Sequence, residues 1–189
     1  MQSVILLLGS NDIGASAIIS RSIEYLRERV GEVVVCSAEY RSQAYGFHSE
    51  QEFINRCVEL TTTLSAEELL RRINIIEEAM GRNRAEERKI REARGERYAS
   101  RPIDIDIIFY GDDTFSTERL TIPYHFLSER EYALRPLAEI APNRRHPALG
   151  YTPRQMLEQL SKQRCELESE GRAKSGDGEM EMECGERRQ

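Results

Sequence analysis

Cysteine is scarce in this chain and badly placed for a framework. Its 189 residues include 4 cysteines, and Cys36, Cys57, Cys165 and Cys184 show no C-x-x-C spacing. Neither a zinc site nor a disulfide scaffold is indicated, and reduced thiols in a cytoplasmic setting are the expectation. Long apolar segments and basic amphipathic stretches are also missing, which argues against a membrane role. No basic n-region and no small-residue cleavage site accompany Val4-Ile5-Leu6-Leu7-Leu8, so this run reads as a core strand rather than a signal peptide. Positive charge is in deficit: 27 Lys+Arg face 33 Asp+Glu, a formal charge of −6, which argues against general nucleic-acid binding. No internal repeat is evident. The length suits one ordinary domain with a single good core and room for an appendage.

Punctuation and periodicity organise the chain. The apolar run Val4–Leu8 ends in Gly9-Ser10-Asn11, a turn signal. Ile19, Ile23, Leu26 and Val30 recur at helical spacing, and Gly31 follows as a C-terminal cap. Val33 to Tyr40 reads as a second strand, Arg41 to Glu52 as a loop, and Phe53 or Ile54 to Thr63 as a third strand. Ser65-Ala66-Glu67-Glu68 is a capping box, in which Ser65 accepts from the Glu68 amide and Glu68 reaches back. Leu69, Ile73, Ile76 and Met80 form the following stripe, closed by Gly81. An arginine-rich loop, a strand to Tyr110 and a hairpin turn at Gly111-Asp112-Asp113 come next. Ser128 to Leu137 reads as a short helix halted by Pro136, and Thr152-Pro153 opens a helix to about Leu160. From Ser161 apolar residues nearly vanish, so residues 1–160 are expected to form the folded domain and 161–189 a charged, disordered tail. The Glu-Met repeats at Met180 and Met182 suggest no chemistry. Strand, helix, strand, strand, helix, strand is the order of an α+β, ferredoxin-like βαββαβ core with an antiparallel sheet, here with an extra C-terminal hairpin and helices. That topology hosts many functions.

Chemistry concentrates in Arg101-Pro102-Ile103-Asp104-Ile105-Asp106-Ile107-Ile108-Phe109-Tyr110. Alternation along a strand points Ile103, Ile105 and Ile107 one way and Asp104 and Asp106 the other. At roughly 3.3 Å per residue the carboxylates stand about 7 Å apart, and at an effective dielectric of about 20 they repel by roughly 2 kcal/mol. Such a pair equally describes an edge strand with one wet face, or a seat for hard cations shared with substrate phosphates. The preceding twenty residues weigh on this choice: Arg82 through Arg101 holds eight Lys/Arg against four Asp/Glu. Carboxylates beside several guanidinium groups form the two halves of a nucleotide triphosphate site.

Three further elements run in series with that strand. They are Glu77-x-x-x-Gly81-Arg82-x-Arg84, the segment Tyr40-Arg41-Ser42 through Phe53-Ile54-Asn55, and Arg135-Pro136-Leu137-Ala138-Glu139-Ile140-Ala141-Pro142. With Gly9-Ser10-Asn11 they make the chain resemble, from about Val4 to Leu160, the 6-hydroxymethyl-7,8-dihydropterin pyrophosphokinases of folate synthesis. Each motif is short; the series of five is specific. The resemblance implies transfer of the β,γ-diphosphate of ATP to the pterin hydroxymethyl oxygen, with release of AMP, by a monomer acting on small molecules. Asp104 and Asp106 would hold two Mg²⁺ ions. Arg82, Arg84 and Arg101 would clamp phosphate oxygens as the catalytic arginines, with Arg88 and Arg130 as further ATP-binding candidates. Asn55 would meet the amide edge of the pterin, Phe53 and Tyr132 would sandwich its ring, and Ser42, Gln43, Ala44 and Tyr45 would line the rim. Phe53 and Tyr132 also suit core aromatics, Asn55 a turn residue, and Glu77 either a helix-surface charge or a place near the metals.

The chain departs from the family pattern in two places. Ile122-Pro123-Tyr124-His125 puts Tyr124 in the slot that usually holds His, with His125 one residue later; either side chain can donate to a phosphate of ATP. The segment between Arg84 and Arg101 is longer than in compact members and offers Tyr98 as its aromatic in place of Trp, which suits a lid. Two other functions share parts of the pattern. A nucleotidyl transferase or cyclase would use paired aspartates but has no need of the Phe53/Asn55 pocket, and a non-catalytic anion-binding module would need neither aspartate.

Overall fold

In the computed structural model, which describes residues 1–175, strand β1 (Gln2–Ser10) is the axis of the molecule. It pairs antiparallel with β4 (Phe53–Thr62) on one side and β5 (Asp104–Tyr110) on the other. Strand β2 (Glu32–Cys36) lies beyond β4, giving the order β2-β4-β1-β5, and short β3 (Tyr40–Ser42) also pairs with β4. The α+β class and the antiparallel sheet thus agree with the sequence, while the element order β1-α1-β2-β3-β4-α2-α3-β5 adds the short strand β3 and the helix α3 to the expected β-α-β-β-α-β.

The unbroken apolar run of β1 has a direct cause: both faces of the strand are covered. On one face Val4, Leu6 and Leu8 meet Ile19, Ile23 and Leu26 of α1 (Ala15–Arg29) and Leu69, Ile73 and Ile76 of α2 (Ala66–Ala79). On the other, Ile5 and Leu7 meet Ala133, Leu134 and Leu137 of α4 (Glu131–Ile140) and Met156 of α5 (Pro153–Ser175). Each fully buried aliphatic side chain contributes about 1.5–3 kcal/mol, so the three layers are locked through one strand. In β5 a bulge opposite Ile5 and Leu6 reverses the alternation. Ile103, Ile105 and Ile107 therefore face α1 and α2, while Ile108 and Phe109 pack on the α4 side.

Several local expectations are revised. The strand drawn from Val33 to Tyr40 is interrupted at Ser37, whose N–H and hydroxyl both bond to Cys57, before the chain rejoins β4 as β3 inside the expected 41–52 loop. Gly31 is fixed by space rather than by a cap conformation, since a Cβ there would stand 2.0 Å from the Thr61 carbonyl oxygen. Ser65 caps the Glu68 amide at 3.3 Å, but the Glu68 carboxylate turns to Arg71 and Arg72. The arginine-rich segment is largely helical: α3 (Arg84–Arg94) starts at Asn83, whose side chain accepts from the Ala85 and Glu86 amides, and stops at left-handed Gly95. It buries no residue, so it leaves no apolar periodicity to read. After the Gly111 turn, β6 (Phe115–Ser116) does not return along β5 but pairs with β7 (Thr121–Ile122). Pro136 lies inside α4; the one backbone bond it forgoes is offset by burial of Ala133, Leu134 and Leu137 around it. Thr152 caps α5 as expected, accepting from the Gln155 amide at 3.3 Å, but the helix passes Leu160 and runs to Ser175. The expected disordered tail is therefore helical over 161–175; residues 176–189, with the Glu-Met repeats, lie outside the described residues.

The link between α4 and α5 turns on His146. Its Nδ1 accepts from the Ala148 and Leu149 amides at 3.2 and 3.1 Å, and its ring meets Phe109 edge-on. Burial lowers its pKa from the ordinary 6.5, in keeping with a nitrogen that must accept. The unfolded chain protonates this residue near 6.5. It therefore binds more protons than the folded chain there, and stability falls as the pH drops through that value, by up to about 1.4 kcal/mol per unit. Urea denaturation between about pH 5 and about pH 8 is expected to show this slope, and His146→Gln to flatten it.

Candidate active site

Strand register assembles the floor of a cavity of about 430 Å³ at one end of the sheet. Asn55, Gly9 and Asp104 are paired across β4, β1 and β5, and Cys57, Leu7 and Asp106 form the next row inward. Alternation turns both rows to the α4 side, and Leu7, Gly9, Phe53, Asn55, Asp104 and Asp106 line the cavity. Glycine is needed in this floor, because a Cβ at Gly9 would approach Asn55 Oδ1 to 3.1 Å. Asn55 is thus a strand residue rather than a turn residue, and its amide donates to Ser42 Oγ at 2.9 Å. Phe53 is buried among the cavity walls, with Phe47 edge-on at 6.1 Å.

The charged wall is built around Glu77, which is 1% exposed. As the last buried residue of α2, it reaches the edge strand β5 and accepts the Ile105 N–H at 2.8 Å, between the two aspartates. The same carboxylate holds Arg82 at 2.7 Å and also binds Arg84. Arg82 in turn holds Glu87 at 2.9 Å and Asp104 at 2.5 Å, and Arg101 takes the other Asp104 oxygen at 2.7 Å. A buried carboxylate that satisfies a sheet edge is no helix-surface charge. Nothing in the spacing of α2 marks it except that position 77 falls on the stripe of Leu69, Ile73 and Ile76.

The two aspartates titrate apart. Burial pushes the Asp104 carboxyl up, but Arg101 and then Arg82 outweigh it and hold the group below its ordinary range. Asp106 forms no ion pair among the described residues, and burial followed by the nearby Asp104 charge drives its carboxyl well above the ordinary range. Burial likewise raises Glu77, with only partial relief from Arg82. Among the described residues no cluster of three or more His, Cys, Asp or Glu side chains is arranged around a metal position. Two carboxylates, one of them unpaired and facing the cavity, are still the donor set Mg²⁺ commonly takes when substrate phosphates and water complete its shell.

The opposite wall is aromatic. Tyr124 and Tyr132 face the cavity with hydroxyls 3.5 Å apart, and burial, then Asp106, raises the Tyr124 pKa. Ser42, Gln43 and Tyr45 line the rim, while Ala44 does not. Three of the expected nucleotide contacts also stand away from the cavity. Arg88 points to solvent from α3, and His125 is exposed beside Phe126, so of the Tyr124-His125 pair it is Tyr124 that faces inward. Arg130 is buried behind the wall, its guanidinium 3.8 Å from the Tyr45 ring and 4.9 Å from that of Phe126. It supports two lining rings, Tyr45 and Phe126, and is not itself part of the lining. Residues not anticipated in the lining include Phe47, Phe126, Glu87 and Arg91. The two phenylalanines could have been suspected as lone aromatics in polar loops. Asn11 was read only as a turn residue, yet its amide donates to Ser49 and Ser100 and accepts the Arg101 N–H at 3.0 Å. It ties the rim loop to the strand that carries the aspartates.

Comparison with known proteins places the chain in a family. The family model for 7,8-dihydro-6-hydroxymethylpterin-pyrophosphokinase matches residues 5–142. A Synechocystis protein named 2-amino-4-hydroxy-6-hydroxymethyldihydropteridine pyrophosphokinase is 41% identical over 129 residues, 68% of this chain and 60% of its own length. A protein of the same name from Aquifex aeolicus is 37% identical over 147 residues, covering 78% of this chain and 85% of that one. The crystal structure of Plasmodium falciparum HPPK-DHPS wild type with SDX-DHP superposes with a TM-score of 0.69 at 16% identity, over 89% of this chain and 45% of that chain, a likeness of fold. The chain thus spans 60% of the Synechocystis relative and under half of the Plasmodium chain.

Removing one partner of a buried ion pair costs about 3–5 kcal/mol. Glu77→Gln, which keeps an acceptor for Ile105 but not the charge, is expected to lose stability of that order in urea denaturation. The exposed neighbour substitution Glu78→Gln is expected to stay within about 0.5 kcal/mol of the unsubstituted chain.

Proposed function

The chain belongs to the 7,8-dihydro-6-hydroxymethylpterin-pyrophosphokinase family, and we propose that it transfers the diphosphate of ATP to the hydroxymethyl group of 6-hydroxymethyl-7,8-dihydropterin, releasing AMP, in tetrahydrofolate biosynthesis. One observation carries the reading: a single cavity joins paired aspartates and an arginine wall to Asn55 and the aromatic side chains of Phe53, Tyr124 and Tyr132. The aromatic side suits a planar heterocycle. Phe53 offers a ring face for stacking, and the Asn55 amide, steadied by Ser42, offers a donor and an acceptor to an amide edge.

The charged wall matches a triphosphate. The guanidiniums of Arg82, Arg84 and Arg101 are neutralised by Glu77, Glu87 and Asp104. Phosphate oxygens would take over part of these donors, at fixed bidentate geometry. Asp104 and Asp106 would hold two Mg²⁺ ions, which would screen the β- and γ-phosphates and favour the hydroxymethyl oxygen as nucleophile. The arginines would stabilise the charge that builds on the transferred group, while Phe53, Asn55 and Tyr132 fix the acceptor oxygen in line.

A single-chain working unit acting on small molecules belongs to the same proposal. Among the described residues no helix is long and apolar enough to cross a membrane; a cytoplasmic setting and a role without nucleic acid complete the proposal. The catalytic unit is assigned to residues 1–160, since the family match ends at residue 142 and α5 packs on the core through Met156, Leu157 and Leu160.

Incubation with Mg-ATP and 6-hydroxymethyl-7,8-dihydropterin is expected to yield AMP, and Asp104→Asn or Asp106→Asn to lower the rate at least about 100-fold while the fold persists. Release of pyrophosphate would point to a nucleotidyl transferase, and unchanged activity in both variants would remove the aspartates from the chemistry. Truncation after Leu160 removes the exposed Arg164–Glu131 pair, worth no more than about 1 kcal/mol, and is expected to leave turnover intact. A large loss of turnover would extend the catalytic unit beyond Leu160.

A further inference from the structure

Helix α3 is a charged helix that buries none of its own residues in the core, yet one of its faces lines the cavity. Arg84, Glu87 and Arg91 sit three and four residues apart, the spacing of a single helical face, and all three border the cavity. We propose that Arg91 is a further polyphosphate-binding arginine, held open for the anion by the way α3 spends its glutamate; the assignment rests on the nucleotide site proposed above.

Glu87 and Arg91 stand in the i, i+4 order that normally forms an ion pair on a helix. Here that pair is not made. Glu87 gives both oxygens to Arg82, at 2.9 and 3.3 Å. Arg82, Arg84 and Arg101 each hold a carboxylate. Among the described residues Arg91 is the cavity-lining arginine that holds none. Its hydrogen bond to the Arg97 carbonyl oxygen, at 3.4 Å, is at the long limit for such a contact. Its Nε is enclosed and has no partner among the described residues. An enclosed guanidinium donor left unmatched is costly, and a phosphate oxygen is the partner its geometry suits. The pterin is a poor candidate for this contact. It is an uncharged ring whose slot is formed by Phe53, Asn55 and Tyr132, whereas Arg91 stands on the helix face of Arg84 and Glu87, beside the arginine wall.

The test is calorimetric titration of the full chain with α,β-methylene-ATP and Mg²⁺, with adenosine and with 6-hydroxymethyl-7,8-dihydropterin. Arg91→Ala is expected to weaken the ATP analogue about tenfold or more, leaving adenosine, the pterin and the thermal midpoint unchanged. Arg91→Lys, which keeps the charge, is expected to recover part of the loss. In steady state the KM for ATP is expected to rise more than kcat falls. Affinity for the analogue within about twofold of the unsubstituted chain would overturn the assignment, as would equal weakening of all three ligands, which would make Arg91 structural. An unsubstituted chain that does not bind the analogue would overturn the nucleotide site itself, a result distinct from a failure of Arg91 alone.

Discussion

Glu77 is the group through which the fold and the candidate site depend on each other. Taking a carboxylate out of water costs several kcal/mol, and its attraction to a guanidinium repays this only when the remaining lone pairs are also used. Glu77 meets that condition by accepting from Ile105 N–H while holding Arg82 and Arg84. Ile105 belongs to β5, an edge strand whose outward amides would otherwise be open to another chain. One buried carboxylate therefore closes a sheet edge, fixes the end of α2 against the sheet and aims two arginines at the aspartate pair.

The same economy shapes the cavity. Four carboxylates and several arginines lie side by side, and among the described residues each of them save Asp106 and Arg91 has an opposite partner. Such a wall is preorganised by its own ion pairs and need not collapse before a ligand arrives. Exchange of partners, with phosphate replacing carboxylate on guanidinium and cation replacing guanidinium on carboxylate, conserves the charge balance. That conservation keeps the cost of reorganisation low, which is what electrostatic catalysis requires.

Much of this was legible along the chain because it is local. Asp104 and Asp106 share a face through strand alternation, and Val4–Leu8 reads as a strand buried on both sides. Ser65 and Thr152 announce their helices by capping chemistry. Helix α3 was also written locally, in the Asn83 cap, the early Glu86 and Glu87 and the late Arg91, Arg94 and Gly95; without an apolar stripe, its arginines read as a loop. Pro136 misled in the opposite direction, since packing around α4 outweighs one missing hydrogen bond.

By itself the sequence determined the positions of the main strands and of helices α1 and α2, the shared face of the aspartates and the concentration of arginine beside them, since each follows from spacing over a few residues. Tertiary structure alone decided which arginine holds which carboxylate, that Glu77 is buried, that Tyr124 rather than His125 faces inward and that Arg130 stands behind the wall. Arg82 meets Asp104 across 22 residues, and even its shorter pairings with Glu77 and Glu87 depend on how the bend between α2 and α3 is packed. A guanidinium on a long flexible stem carries no record of its partner until packing brings one within reach.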